Sequence, residues 1–337
     1  MPGQDQAPKF AQYFNAFADS ADGQRVLLTY CQPALARLVQ VMAQTGIGTD
    51  ACLRSGCMPM TVHYYTPVPD VYELKDRGAL DAESALPGVD FRPQAQLDLL
   101  ARLGGTFGQE CDWPQEPGPD PFGFHLNNGN FSYGCAASLH CMIRDRLPRE
   151  IVEIGSGNSS KVISAALAAN AAQGRPARYA VVDPNMRPEY RDLALPHLAE
   201  AHHLRVEELP VAFFDRLGED DILFVDSSHV SKAGSDVNFL ILEVLPRLKP
   251  GVVVHFHDIP LPFEYPTAYF LNAEHRRFWN ESYLLQAFLA CNDSFEVLLA
   301  MTWLMRKHAD AFRRAFARFD ASRNWAESGS FWIRRAR

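Results

Sequence analysis

The 337-residue chain reads as a doubly wound α/β protein: a mostly parallel seven-stranded sheet with helices on both faces, preceded by an irregular, partly helical N-terminal region. Three observations predict this. From about residue 121 short apolar runs alternate with helical patterns, the rhythm of parallel β-α-β units. The first run leads into a glycine-rich turn, Gly155-Ser156-Gly157, where a backbone can bend sharply and approach a ligand. The composition, 47% hydrophobic and 21% charged, can build a real core and excludes a mostly disordered chain.

The expected strands are Ile151–Ile154, Tyr179–Val182, Leu204–Glu207, Ile222–Val225, Val252–Phe256, Phe295–Ala300 and Ser330–Arg335. Between them lie helical patterns at Lys161–Ala172, Pro188–Ala201, Val237–Leu248 and Glu281–Ala290, with an amphipathic helix at Ala309–Phe319 before the last strand. Upstream, spacing predicts helices at Pro33–Ala43 and Pro93–Leu103, and an extended aromatic loop over Val62–Asp70. Four prolines within residues 112–121 rule out helix and central strand and read as a linker. This gives three expected regions: an N-terminal extension over 1–60, a substrate-side cap over 61–120, and a core over 121–337.

Charge and length exclude several function classes. Lys and Arg total 32 against 40 Asp and Glu, so a net charge of −8 argues against a nucleic-acid partner. No run of 18 apolar residues is present, so no membrane span is expected. The start, Met1-Pro2-Gly3-Gln4-Asp5-Gln6, has no basic-then-apolar leader, and the expected location is cytoplasmic. Seven cysteines without a C-x-x-C fit no zinc pattern and read as reduced, mostly buried thiols.

Three nucleotide-binding readings compete for the turn. A phosphate-cradling loop fails because Ser160 replaces its second glycine and Val162 its hydroxyl residue. A dinucleotide fingerprint lacks its third glycine, again at Ser160. The third is E-x-G-x-G, with Glu153 two positions before Gly155. A carboxylate there repels pyrophosphate but suits a cationic ligand free of phosphate. Asp183, closing the second strand, is placed to accept both ribose hydroxyls of an adenosine ligand, or else to cap the helix that follows.

Val152-Glu153-Ile154-Gly155-Ser156-Gly157 resembles motif I of class I S-adenosylmethionine-dependent methyltransferases. Asn128–Gly134, Phe224–His229, His255–Ile259, Trp279-Asn280-Glu281 and Gly329–Trp332 resemble a bacterial small-molecule, glycan-associated subgroup, over roughly residues 60–337. The resemblance implies a Rossmann-like fold and S-adenosylmethionine as cofactor. It sets Glu153, Gly155, Ser156, Gly157, Asp183 and Asp226 around the cofactor, with the loop of Asn128, Ser132 and Tyr133 over it.

Asp226 and His229 end or follow the fourth strand, and His257 and Asp258 the fifth; ligands bind beyond such strand ends. His229 or His257 is the expected base, since neutral imidazole is available near pH 7. His255, deeper in its strand, reads as core. Asp226 and Asp258 are candidate ligands for a divalent cation. Related enzymes place a second acidic or amide residue after the fifth-strand Asp, where this chain has Ile259. The aromatic loops His63-Tyr64-Tyr65 and Phe263–Pro266 read as substrate-pocket lining or as packing.

The expected activity is methyl transfer from S-adenosylmethionine to an oxygen of a small-molecule acceptor, a sugar or natural product. Its rivals are N-methylation, an NAD(P)-dependent oxidoreductase, and a non-catalytic binding protein of the same fold.

Overall fold

Seven strands form one sheet: β1 Glu150–Ile154, β2 Arg178–Val182, β3 Glu200–His202, β4 Ile222–Val225, β5 Val253–Phe256, β6 Phe295–Ala300 and β7 Phe331–Arg335. Their order is β3-β2-β1-β4-β5-β7-β6, parallel through β5, with β7 inserted antiparallel between β5 and β6. The computed structural model describes residues 7–274, 276–319 and 328–337. Residues 1–6, on which the absence of a leader was read, lie outside them.

The central strands are apolar on both faces because helices cover both. Ile151, Tyr179, Ile222 and Val253 join one buried cluster, while Val152, Val182, Leu223 and Val254 join the other. This alternation follows from the two-residue period of a strand. Six of the seven expected strands form within a residue or two of their predicted bounds.

The third does not. The apolar residues Leu204 and Val206 promised a strand, but Val206 opens a short turn and is buried from there. The edge strand is instead the polar Glu200-Ala201-His202, paired with Ala180–Val182. Its Glu200 is held by Arg216 at 2.7 and 2.8 Å. The helix expected over Pro188–Ala201 is accordingly cut to Pro188–Arg191, and left-handed backbone at Leu193 and His197 prevents its continuation.

The chain divides into two compact units, Met1–Arg77 and Gly78–Arg337. The boundaries expected at 60/61 and 120/121 do not coincide with this division. The proline-rich stretch runs without helix or strand, yet it belongs to the second unit. Leu126 and Asn127 donate to the carbonyls of Pro114 and Gln115, and the Trp113 ring packs edge-on against Phe124, Tyr133 and His140. The first unit holds helices Ala7–Ala18, Ala21–Tyr30, Gln32–Thr45, Thr49–Arg54 and Val71–Asp76. No single helix among the described residues is long and apolar enough to cross a membrane; the bent pair Ala21–Tyr30 and Gln32–Thr45 reaches that length and composition together. Of the seven cysteines only Cys111, Cys135 and Cys141 are buried, so "mostly buried" was too strong.

Candidate active site

The strand order reverses between β1 and β4, and in open α/β sheets this switch point opens a crevice beyond the strand ends. Here the two chain segments nearly touch. The Asp226 amide donates to the Ile154 carbonyl at 2.9 Å, and a Cβ on Gly155 would lie 1.9 Å from the Asp226 carbonyl oxygen. Gly155 also has φ +83°, so both space and conformation demand glycine. Gly157 differs: a Cβ there would meet nothing within 4 Å. Residues 155–158 are the partly exposed link between a buried strand and a buried helix start.

The acidic residues of this turn look inward. Glu153 is fully buried and accepts from the Ser159 hydroxyl at 2.6 Å, from Ser160 at 2.8 Å and from Tyr179. Burial raises its pKa to about 7 against those three donors. Glu153 was expected to face a cationic ligand, but its oxygens are committed to the base of the helix Asn158–Ala172. Asp183, 8% exposed, accepts from the Ser156 amide and hydroxyl on one oxygen and from the Asn185 amide on the other. The oxygen bound only by Asn185 keeps a lone pair for a further donor.

The loop before the buried helix Tyr133–Arg146 is tied to this turn. Asn128 binds the main chain of His125, Asn130 and Phe131 and accepts from Asn158 at 3.2 Å. Ser132 caps the helix through the Cys135 amide. Tyr133, expected over the cofactor, is instead turned into the core between Trp113 and Phe316, because the first turn of that helix is buried on all sides.

The ends of β4 and β5 converge. His229 Nε2 lies 3.3 Å from Asp226 and 3.7 Å from Asp258, and its Nδ1 is 2.8 Å from Glu281. His257 Nδ1 lies 3.5 Å from both Asp226 and Asp258. Both histidines are about 95% buried, and His257 stacks on Phe131 at 5.1 Å. His255 is the core histidine: fully buried, stacked on Phe224 at 4.1 Å and paired with Ser330. His229 and Asp258 have left-handed backbone, φ +60° and +57°, a conformation that concentrates at functional sites.

These neighbours change the expected chemistry. Burial disfavours a charged ring, yet Asp226 and Glu281 raise the His229 pKa to about 10. Burial is likewise overcome at His257, which Asp258 and Asp226 push well above its ordinary value. Burial also opposes the Asp226 carboxylate, but His257 and His229 hold its pKa far below the usual range. Asp226 and Asp258 facing the two rings thus favour the protonated form of each over the neutral imidazole expected near pH 7.

Beside this cluster opens a cavity of about 660 Å³. His257, Asp258, Asn128 and Ser132 line it, with Phe131, Tyr265 and Tyr269 among the aromatic walls. Of the two aromatic loops, Phe263–Pro266 thus contributes Tyr265 and Pro266, while the His63, Tyr64 and Tyr65 rings pack edge-on or tilted against one another in the first unit. Sequence reasoning gave no role to Glu281, although Trp279-Asn280-Glu281 had drawn attention. Nothing local marks a residue that meets its partner 52 positions away.

For a divalent cation, the donor set fits: one ligand atom each from Asp226, His229 and Asp258 lies within 4.8 Å of the others. Asp226 and Asp258, the expected pair, are thus joined by a histidine that had been assigned only as a base.

Residues 152–259 match the Methyltransf_24 family model, a methyltransferase domain. An uncharacterized protein of Archaeoglobus fulgidus is 30% identical over 105 residues, 30% of this chain and 47% of that relative, so the match spans about half the relative's length. Among solved structures, the chain is similar to the CmcI-N160 apo-structure at 15% identity, covering 60% of this chain and 71% of that one with a TM-score of 0.34. It is also similar to loganic acid methyltransferase with SAH at 10% identity, covering 66% and 99% with a TM-score of 0.32. The segment similar to a methyltransferase domain thus carries the turn at Gly155–Gly157 and the ends of β4 and β5.

Proposed function

We propose that this protein moves the methyl group of S-adenosylmethionine to an oxygen of a small molecule, a sugar or natural product. The observation that carries this reading is the cavity of about 660 Å³ whose wall includes His257 and Asp258, at the strand end beside the switch point. Its mixed walls, aromatic rings beside Asn128 and Ser132, suit a ring-bearing polar acceptor. S-adenosylmethionine supplies an electrophilic methyl carbon. The open space at Gly157 and the spare lone pair of Asp183 fit its nucleoside end.

The protein's part is to bring the acceptor oxygen into line with that carbon and to receive the hydroxyl proton. His257 lies on the cavity wall, and neither of its ring nitrogens has a hydrogen-bond partner among the described residues. Buried nitrogens in that state are placed to meet a ligand. His257 or His229 serves as base only after losing the proton its carboxylate neighbours hold on it. Without a cation, turnover then rises with pH well above neutrality. A second reading follows from the Asp226, His229 and Asp258 donor set. A divalent cation held there would activate the hydroxyl and expel the His229 proton, shifting the pH profile downward.

The test is methyl transfer from labelled S-adenosylmethionine into fractionated metabolites, run across pH with and without EDTA. Calorimetry should give heat with S-adenosylhomocysteine and none with NAD. NAD heat alone would remove the assignment. Activity unchanged by EDTA would remove the cation, and activity flat from pH 6 to 9 in EDTA would remove the protonated histidines as the source of the base.

A further inference from the structure

His229 has an unfavourable backbone and a buried ring, and one short segment holds both. Its carbonyl accepts from the Asn280 and Glu281 amides at 3.1 and 3.3 Å. Two residues on, the Ser231 amide donates to the Asn280 side chain at 2.5 Å, and the Asn280 side-chain amide donates back to the Ser231 carbonyl at 3.3 Å. The ring packs on Trp279 with centroids 4.3 Å apart, and Glu281 takes Nδ1 at 2.8 Å.

Glu281 is fully buried, and its second oxygen has no hydrogen-bond partner among the described residues. A carboxylate in that position is costly to keep unless it meets a demand elsewhere. A carboxylate accepts and cannot donate, so it holds a proton on Nδ1 and turns Nε2 outward. Nε2 then faces Asp226 and Asp258. His257 Nδ1 stands farther from its carboxylates, 3.5 Å from Asp226 and from Asp258, and forms no hydrogen bond to either.

We infer that the Asn280–Glu281 segment is a clamp that positions His229, with Glu281 fixing which ring nitrogen faces the reacting groups. The two histidines are thereby divided. His229 is held in one orientation, as base or as cation ligand, by a close hydrogen bond of a kind that His257 lacks. Glu281 is a positioning residue, since it acts through His229. The inference leans on the methyl-transfer reading only for its turnover measurement.

The test uses the full chain and ring nitrogen-15 correlation spectra. His229 is identified by the signal that disappears in His229→Gln. In the wild type, Nδ1 of His229 should carry a slowly exchanging proton. In Glu281→Gln, whose amide can donate as well as accept, that proton should exchange faster and its resonance should move. Methyl transfer should fall roughly 10–100-fold, the usual effect of losing an orienting partner, while S-adenosylhomocysteine affinity stays within about twofold. Glu281→Asp, which keeps the charge, should recover part of the loss. A wild-type Nδ1 without a proton overturns the inference with no variant needed. So does an unchanged His229 resonance in Glu281→Gln. If the protein transfers no methyl group at all, the spectra still decide, and the failure belongs to the functional reading alone.

Discussion

Two neighbouring ends of the same sheet carry similar numbers of polar residues and use them in opposite ways. At the β1–β2 end, Glu153 accepts from three hydroxyls, and Asp183 is bound by Ser156 and Asn185. At the β4–β5 end, both nitrogens of His257, the Ser227 hydroxyl and one oxygen of Glu281 are buried with no hydrogen-bond partner among the described residues. Two non-glycine residues there also hold left-handed backbone. Acidic and polar side chains at a strand end do not by themselves mark chemistry. Unspent hydrogen-bonding capacity on a cavity wall, as at His257, is the stronger sign, whereas the unpaired His255 Nδ1 lies in the core. The first end shapes a backbone cradle; the second end keeps groups for a ligand.

If that contrast is right, substitutions at the second end should cost turnover, and those at the buried or closely packed positions of the first should cost stability. The largest effect is expected for His257→Gln, with turnover down by roughly 100-fold or more and S-adenosylhomocysteine binding retained. Steady-state kinetics beside calorimetry measures both. Equal loss of binding and turnover would erase the distinction.

Next comes Glu153, whose folded pKa of about 7 lies above its ordinary value of 4.5. Below pH 4.5 the carboxyl is protonated in both states and its contribution to stability is complete. As pH rises toward 7 the unfolded chain ionises first, and stability falls by roughly 2–3 kcal/mol. Glu153→Gln has no such proton to lose. Denaturant titrations of both proteins from pH 4.5 to 8 should therefore diverge in slope, and parallel curves would contradict the burial argument.

The smallest effects separate the two glycines. Gly155→Ala forces a Cβ onto the Asp226 carbonyl in a left-handed conformation and should destabilise by about 2 kcal/mol or more. Gly157→Ala points into open space, so its melting should stay within about 1 kcal/mol of wild type while S-adenosylhomocysteine binding weakens. A matched loss of stability in the two variants would deny Gly157 its place beside a ligand.

The sequence alone determined the sheet, the glycine turn and the polar residues at the strand ends. Those features are written in local signals: buried parallel strands need apolar runs such as Ile222–Val225, and the backbone at Gly155 tolerates no side chain. Only the tertiary structure decided where the partners lie. It put the edge strand on polar Glu200–His202, since an edge strand is half exposed and carries no apolar pattern. It turned Tyr133 into the core and the Glu153 oxygens toward Ser159, Ser160 and Tyr179. It brought Glu281 to His229 across 52 residues and set Asp226 and Asp258 against both histidines, which favours their protonated forms. Periodicity reports which face of an element is buried. Which atoms meet across the fold, and therefore which charges survive there, depends on packing between elements distant in the chain.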